Sequence, residues 1–165
     1  MWRSNLYQYR QVVAFDGELS DEEKSQIRRL ERLGERIDEG GFPDDRQAFG
    51  QTGAFWTAVV DYDQVAVARD LSTSKSSSIP VAVHQAERDV QVHPEKSARA
   101  WREGLSDVSK AKADVRTRPR LDHLFLPRSG PSYVGRYYTE PENVARSVVE
   151  ALSGWVRGPV AGRSD

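Results

Sequence analysis

Polar and apolar positions alternate from residue 5 to residue 15, NLYQYRQVVAF, placing Tyr7, Tyr9, Val13 and Phe15 on one face. A period of two built from aromatic and β-branched residues predicts an opening strand. Trp2, Tyr7 and Tyr9 then either anchor that strand in the core or face a partner. The pattern changes at DGELSDEEKSQIRRLERLGERIDEGG, where Ile27, Leu30, Leu33 and Ile37 recur at helical spacing. Ser20 and Glu23 form a capping box at its start, and Gly40–Gly41 stop it. Its other faces are charged, so one narrow side packs and the rest stays in water.

FPDDRQAFGQTG is a loop. AFWTAVV and QVAVARDL flank DYD, which predicts a hairpin over residues 54–71. STSKSSS at 72–78 is a polar connection. IPVAVH resumes a strand, and VQVH is placed to pair with it. Pro94 opens a second helix, with Ala98, Trp101, Leu105 and Val108 on one side. It ends before RTRPR, because Pro119 disfavours helical geometry at Arg118. LDHLFL and SYVGRYY read as two strands around PRSGP. A last helix covers 140–156, capped by Thr139 and Glu142, with Val144, Val148, Leu152 and Trp155 as its buried stripe.

Runs of adjacent strands predict an α+β fold: a single domain over 1–156, with a mostly antiparallel sheet and three helices packed on it. Residues 157–165 form a C-terminal tail, loose or held by a partner. At 165 residues, with 38% hydrophobic positions, the chain can bury a core without disulfides. It has no cysteine, which removes thiolate chemistry and cysteine-bound zinc. No apolar run reaches the roughly 18 residues of a membrane span. The N-terminus lacks the apolar core of a signal peptide. The expectation is a protein of the cytoplasm, or of a particle assembled there, with no membrane partner and no cofactor.

Net charge is −1, but its distribution is uneven. Residues 96–136 hold ten Lys+Arg against four Asp+Glu, whereas residues 1–95 hold eleven against seventeen. Within the basic stretch Arg116, Arg118 and Arg120 alternate, so an extended backbone puts them on one face. Arg128 and Arg136 flank a Pro/Gly turn, and Tyr133 and Tyr137 add flat rings. Guanidinium forks suit phosphates and rings suit bases. The same face suits an acidic protein surface equally well.

Discrete chemistry is sparse. His84, His93 and His123 show none of the spacings of a metal site, so no metal is assigned. His93 precedes Pro94 and reads as a helix cap. His123, in LDHLFL, is the single candidate general base. DYD at 61–63 reads as a turn rather than a metal site. STSK lacks the companion elements of a serine–lysine enzyme. The expected function is therefore a non-enzymatic assembly or adaptor protein acting through protein–protein contacts or self-association. It would serve as a component of a larger particle, such as a phage-type virion or injection machine. The alternative is a nucleic-acid- or nucleotide-binding protein, extending to a metal-independent nuclease, that uses the Arg/Tyr segment 116–138. A small-molecule enzyme would require a concave pocket with convergent polar groups.

Overall fold

The first α-helix, α1 (Trp2–Val13), takes the place of the expected opening strand. Trp2, Leu6, Tyr9 and Val13 recur every three or four residues, so this segment satisfies a helical period as well as a period of two. Packing decides between them, because α2 (Asp21–Asp38) offers an apolar stripe and α1 covers it. Trp2 and Leu6 join Ile27, Ile37, Ala48 and Trp56 in one buried cluster. The computed structural model describes residues 2–14, 17–75, 79–109, 112–130, 132–138 and 142–158. Phe15 and most of the 157–165 tail therefore lie outside the described residues.

The capping box of α2 forms as its sequence requires. Glu23 N–H donates to Ser20 Oγ at 3.2 Å, and Ser20 N–H donates to Glu23 Oε2 at 2.8 Å. The Ser20 hydroxyl, which donates to Glu23 Oε2 at 2.7 Å, and then the Ser20 N–H lower the Glu23 pKa. Trp2 lies flat on Gly34 of α2, where a Cβ would sit 2.3 Å from the ring, so only glycine fits there. Trp2 Nε1 donates to Asp38 Oδ1 at 2.8 Å, which satisfies the indole.

The expected hairpin over 54–71 is absent. A pair of two-residue strands, β1 (Gln47–Ala48) and β2 (Gln51–Thr52), leads directly into α3 (Gly53–Val59). Thr52 caps α3 by accepting from Phe55 N–H at 3.3 Å. Trp56 is 2% exposed, and its Nε1 donates to Ala48 O at 2.9 Å. Then α4 (Gln64–Thr73) follows DYD, so DYD joins two helices rather than two strands.

Residues Val81–Ala86 form β3, as the IPVAVH pattern predicts. Its partner is not VQVH, which forms no strand. The partner is β4 (Ala113–Arg118), and the pairing is parallel, with His84 opposite Arg116. Between them α5 (Pro94–Gly104) provides the crossover that parallel strands need. Val81, Ala113 and Val115 pack with Trp101, Leu105, Val108 and Ala68 on one face of this pair. The RTRPR segment, expected only to end a helix, supplies the last residues of β4.

LDHLFL and SYVGRYY are not strands. The first folds into a tight loop closed by a bridge between Leu121 and Pro127, and the second contains a 3₁₀ turn, Val134–Tyr138. The last helix, α6 (Arg146–Arg157), starts later than the Thr139/Glu142 cap implies. Thr139 lies outside the described residues, and Glu142 pairs with Arg128 instead. On α6 Val148 is buried and Trp155 half-buried, while Leu152 on the helix and Val144 ahead of it, both expected in the core, are exposed.

The chain is thus mixed α and β, but the described residues hold six α-helices and two separate two-stranded pairs. One pair is parallel, so the expectation of a mostly antiparallel sheet with three helices is corrected. No described helix is long and apolar enough to cross a membrane. The chain divides into two compact units, Met1–Gln64 with Val90–His93, and Val65–Asp89 with Pro94–Asp165.

Candidate functional site

The second unit carries the chemistry. Because β3 and β4 are parallel, their carboxyl ends emerge at the same edge, where α/β proteins hold their ligands. The chain leaving β3 reaches Asp89, and the chain leaving β4 reaches His123. Main-chain bonds stitch the two exits together: Glu87 N–H donates to Arg118 O at 3.0 Å and Arg88 N–H to Leu121 O at 2.9 Å. The Arg88 guanidinium reinforces them by donating to the carbonyls of Arg128 (2.7 Å) and Gly130 (3.0 Å).

This stitching brings His123 Nδ1 within 2.9 Å of Asp89 Oδ2. A carboxylate can only accept, so Nδ1 carries the proton and Nε2 is left with its lone pair. Asp89 is buried, and Gln85 Nε2 donates to the same Oδ2 at 3.2 Å. The His123 side chain remains 35% exposed, which leaves the ring accessible from solvent. An imidazole oriented by a buried carboxylate, itself held by an amide, is an arrangement that general-base catalysis can use.

The loop bearing His123 is held from within. Asp122 Oδ1 accepts the N–H groups of Leu124 and Leu126, both at 3.0 Å. Phe125 N–H donates to Asp122 O at 2.8 Å, and Phe125 adopts a left-handed φ of 58°. A bulky residue in that region persists only when its surroundings over-determine it. Here Asp122 does so, and Arg128 pairs with it through Nε at 2.7 Å, both side chains fully buried.

The arginines singled out by the sequence take different places. Arg116 and Arg118 share one face of β4 with His84 of β3. Arg116 pairs with Asp114 at 2.6 Å, and Arg118 Nε donates to His84 Nδ1 at 3.2 Å. Burial first, then the Arg118 and Arg116 charges, lower the His84 pKa, so its ring is neutral near pH 7. Arg120 is exposed just past β4 with φ 56°, its N–H donating to Glu87 Oε2 at 2.8 Å. Arg128 is buried between Asp122 and Glu142 and is not on an open face. Tyr133 is exposed, and Tyr137 is partly buried in the 3₁₀ turn that also contains Arg136.

Sequence reasoning singled out His123 but not Asp89 beside it. Asp89 stands 34 positions away, and only the parallel pairing of the preceding strands joins the two. No group of three or more His, Cys, Asp or Glu able to hold a metal occurs among the described residues. No family model matches the chain, and neither does any curated protein or solved structure.

Proposed function

We propose that this chain supplies the acid–base half of a hydrolytic centre, with His123 as general base and Asp89 as its positioning residue. The observation that carries the reading is the 2.9 Å contact between His123 Nδ1 and Asp89 Oδ2. His123 Nε2 takes a proton from a water or hydroxyl as it attacks an acyl carbon, and returns that proton to the leaving group. Asp89 keeps the proton of the resting ring on Nδ1 and stabilises the imidazolium that forms. No serine or threonine hydroxyl is bonded to His123 among the described residues, so the acceptor of its help is a water or a hydroxyl brought to Nε2. Hydrolysis of a p-nitrophenyl ester tests the proposal. The wild-type chain turns it over faster than free imidazole at equal concentration, and His123→Ala loses about 10²–10⁴-fold in kcat/KM. Equal rates for the two proteins would remove the reading.

A second reading, an assembly or adaptor role, is supported by α6. Val149, Leu152 and Val156 line one side of the helix and are 50%, 43% and 59% exposed. A contiguous apolar row at helical spacing is the kind of surface that protein contacts cover. Light scattering across a concentration series is expected to show self-association through this row. A strict monomer at the highest concentration, with Val149→Asp behaving identically, counts against self-assembly.

A further inference from the structure

One face of the β3–β4 pair is apolar and packs in the core, while the opposite face is charged. That charged face carries His84, Asp114, Arg116 and Arg118, and α6 passes over it with Gly154 and Trp155. Because α6 presents small residues there, Ala151 and Gly154, a cavity of about 330 Å³ remains between helix and strands. That volume lies at the lower end of the range for small-molecule sites.

The charges in the cavity do not cancel. Asp114 answers Arg116 at 2.6 Å. No carboxylate of the described residues lies within ion-pair distance of Arg118, and Asp114, already paired with Arg116, offsets its charge only in part. Its guanidinium lies against the neutral His84 ring, with Nε 3.2 Å from Nδ1 and Nη2 3.4 Å from Nε2. A half-buried guanidinium beside a second guanidinium is a cation placed where a cation is disfavoured. Burial first, then the Arg116 charge, lower the Arg118 pKa accordingly. An oxyanion is the group that relieves this. Arg116 and Arg118 stand two residues apart on one strand face, roughly 7 Å between backbones. Their long side chains can close on one group set between them. Either a carboxylate or a phosphate can pair with one fork through two oxygens, but a phosphate monoester has a third oxygen left for the second arginine. The half-buried Trp155 ring then lies beside the oxyanion site.

We propose that this cavity is a binding site for a phosphate monoester, its oxygens on Arg118 and Arg116 and its organic body against Trp155. Arg118 supplies the charge, His84 fixes the direction of the fork, and Gly154 leaves the space.

Titration calorimetry with phenyl phosphate, inorganic phosphate and benzoate tests this. Phenyl phosphate binds in the millimolar range or tighter, about tenfold better than inorganic phosphate through its ring contact. Arg118→Met weakens it about 10–100-fold, the loss expected for a hydrogen-bonded charge. Gly154→Leu fills the cavity and removes binding. No atom lies within 4 Å of a Cβ at Gly154, and replacing a helical glycine favours the helix, so this variant folds at least as well as wild type. Arg29, Arg32, Arg36 and Arg46 line a separate groove in the first unit. Arg32→Ala with Arg36→Ala therefore leaves binding unchanged. The proposal is overturned if wild type binds no phenyl phosphate at millimolar concentration, or if Gly154→Leu or Arg118→Met binds as wild type does. Benzoate binding as tightly as phenyl phosphate overturns the phosphate assignment.

Discussion

Replacing Arg128 by Met is expected to cost about 3–5 kcal/mol of folding stability, the usual penalty for stranding one partner of a buried ion pair. The side chains of Arg128 and Asp122 are both fully buried, with Nε 2.7 Å from Oδ2. Arg128 also pairs with Glu142 through Nη1. Methionine fills much the same volume, so the loss is electrostatic rather than a cavity. Asp122 is left as a buried carboxylate, still accepting from Leu124 and Leu126 but with no cation beside it. Adding Asp122→Asn to Arg128→Met recovers a large part of the loss, because the stranded charge is gone. Lysine does not substitute, since a compact ammonium does not span the two carboxylates as the broad, planar guanidinium does. Urea unfolding followed by far-UV circular dichroism measures all four proteins. An Arg128→Met midpoint matching wild type would show that the pair contributes nothing net.

That pair also shows why the arginines of the basic stretch play several parts. Arginines at 116, 118, 120 and 128 look alike in sequence, yet one sits in the core and two line a cavity. Spacing places Arg116 and Arg118 on one face correctly, because β4 is extended there. Nothing in the spacing announces that Arg128 answers Asp122, since that bond depends on the loop between them turning back. LDHLFL misleads for the same reason. Its apolar run reads as a strand, but Asp122 captures the N–H groups that a strand would donate sideways.

Local signals were legible where they closed on themselves. The Ser20–Glu23 box, the β-branched run of β3 and the proline opening α5 each act within a few residues. Elements whose identity depends on a distant partner were not. The segment of α1 fits both periods until α2 is placed beside it. Strand β4 alternates only two apolar residues, Ala113 and Val115, with charged ones, a run too short to mark it. The candidate site shares this property: His123 stood out as a titratable residue among arginines, whereas Asp89 acquires meaning only from the parallel register of β3 with β4.

A large effect is also expected at that carboxylate. On the proposed reading, Asp89→Asn lowers ester hydrolysis by about 10²–10⁴-fold, no further than His123→Ala does, while the fold is kept. The two side chains are nearly isosteric, so packing around this buried position is preserved. What changes is the bond. An amide can turn its N–H toward His123 Nδ1, which then accepts and moves the ring proton to Nε2. The nitrogen that must take a proton from the attacking water or hydroxyl is then already occupied. Gln85 Nε2 donates to the same Oδ2, so the asparagine must give up that bond to turn its N–H toward His123. If Asp89 merely braced the loops, Asp89→Asn would shift the unfolding midpoint and leave kcat near wild type. If it positions the base, kcat falls, KM holds, and the midpoint moves little. The double variant His123→Ala/Asp89→Asn separates the cases further. Residues acting as one unit do not add, so the double variant is no slower than His123→Ala alone. A product of two independent losses would mean that Asp89 acts on catalysis by a route other than His123.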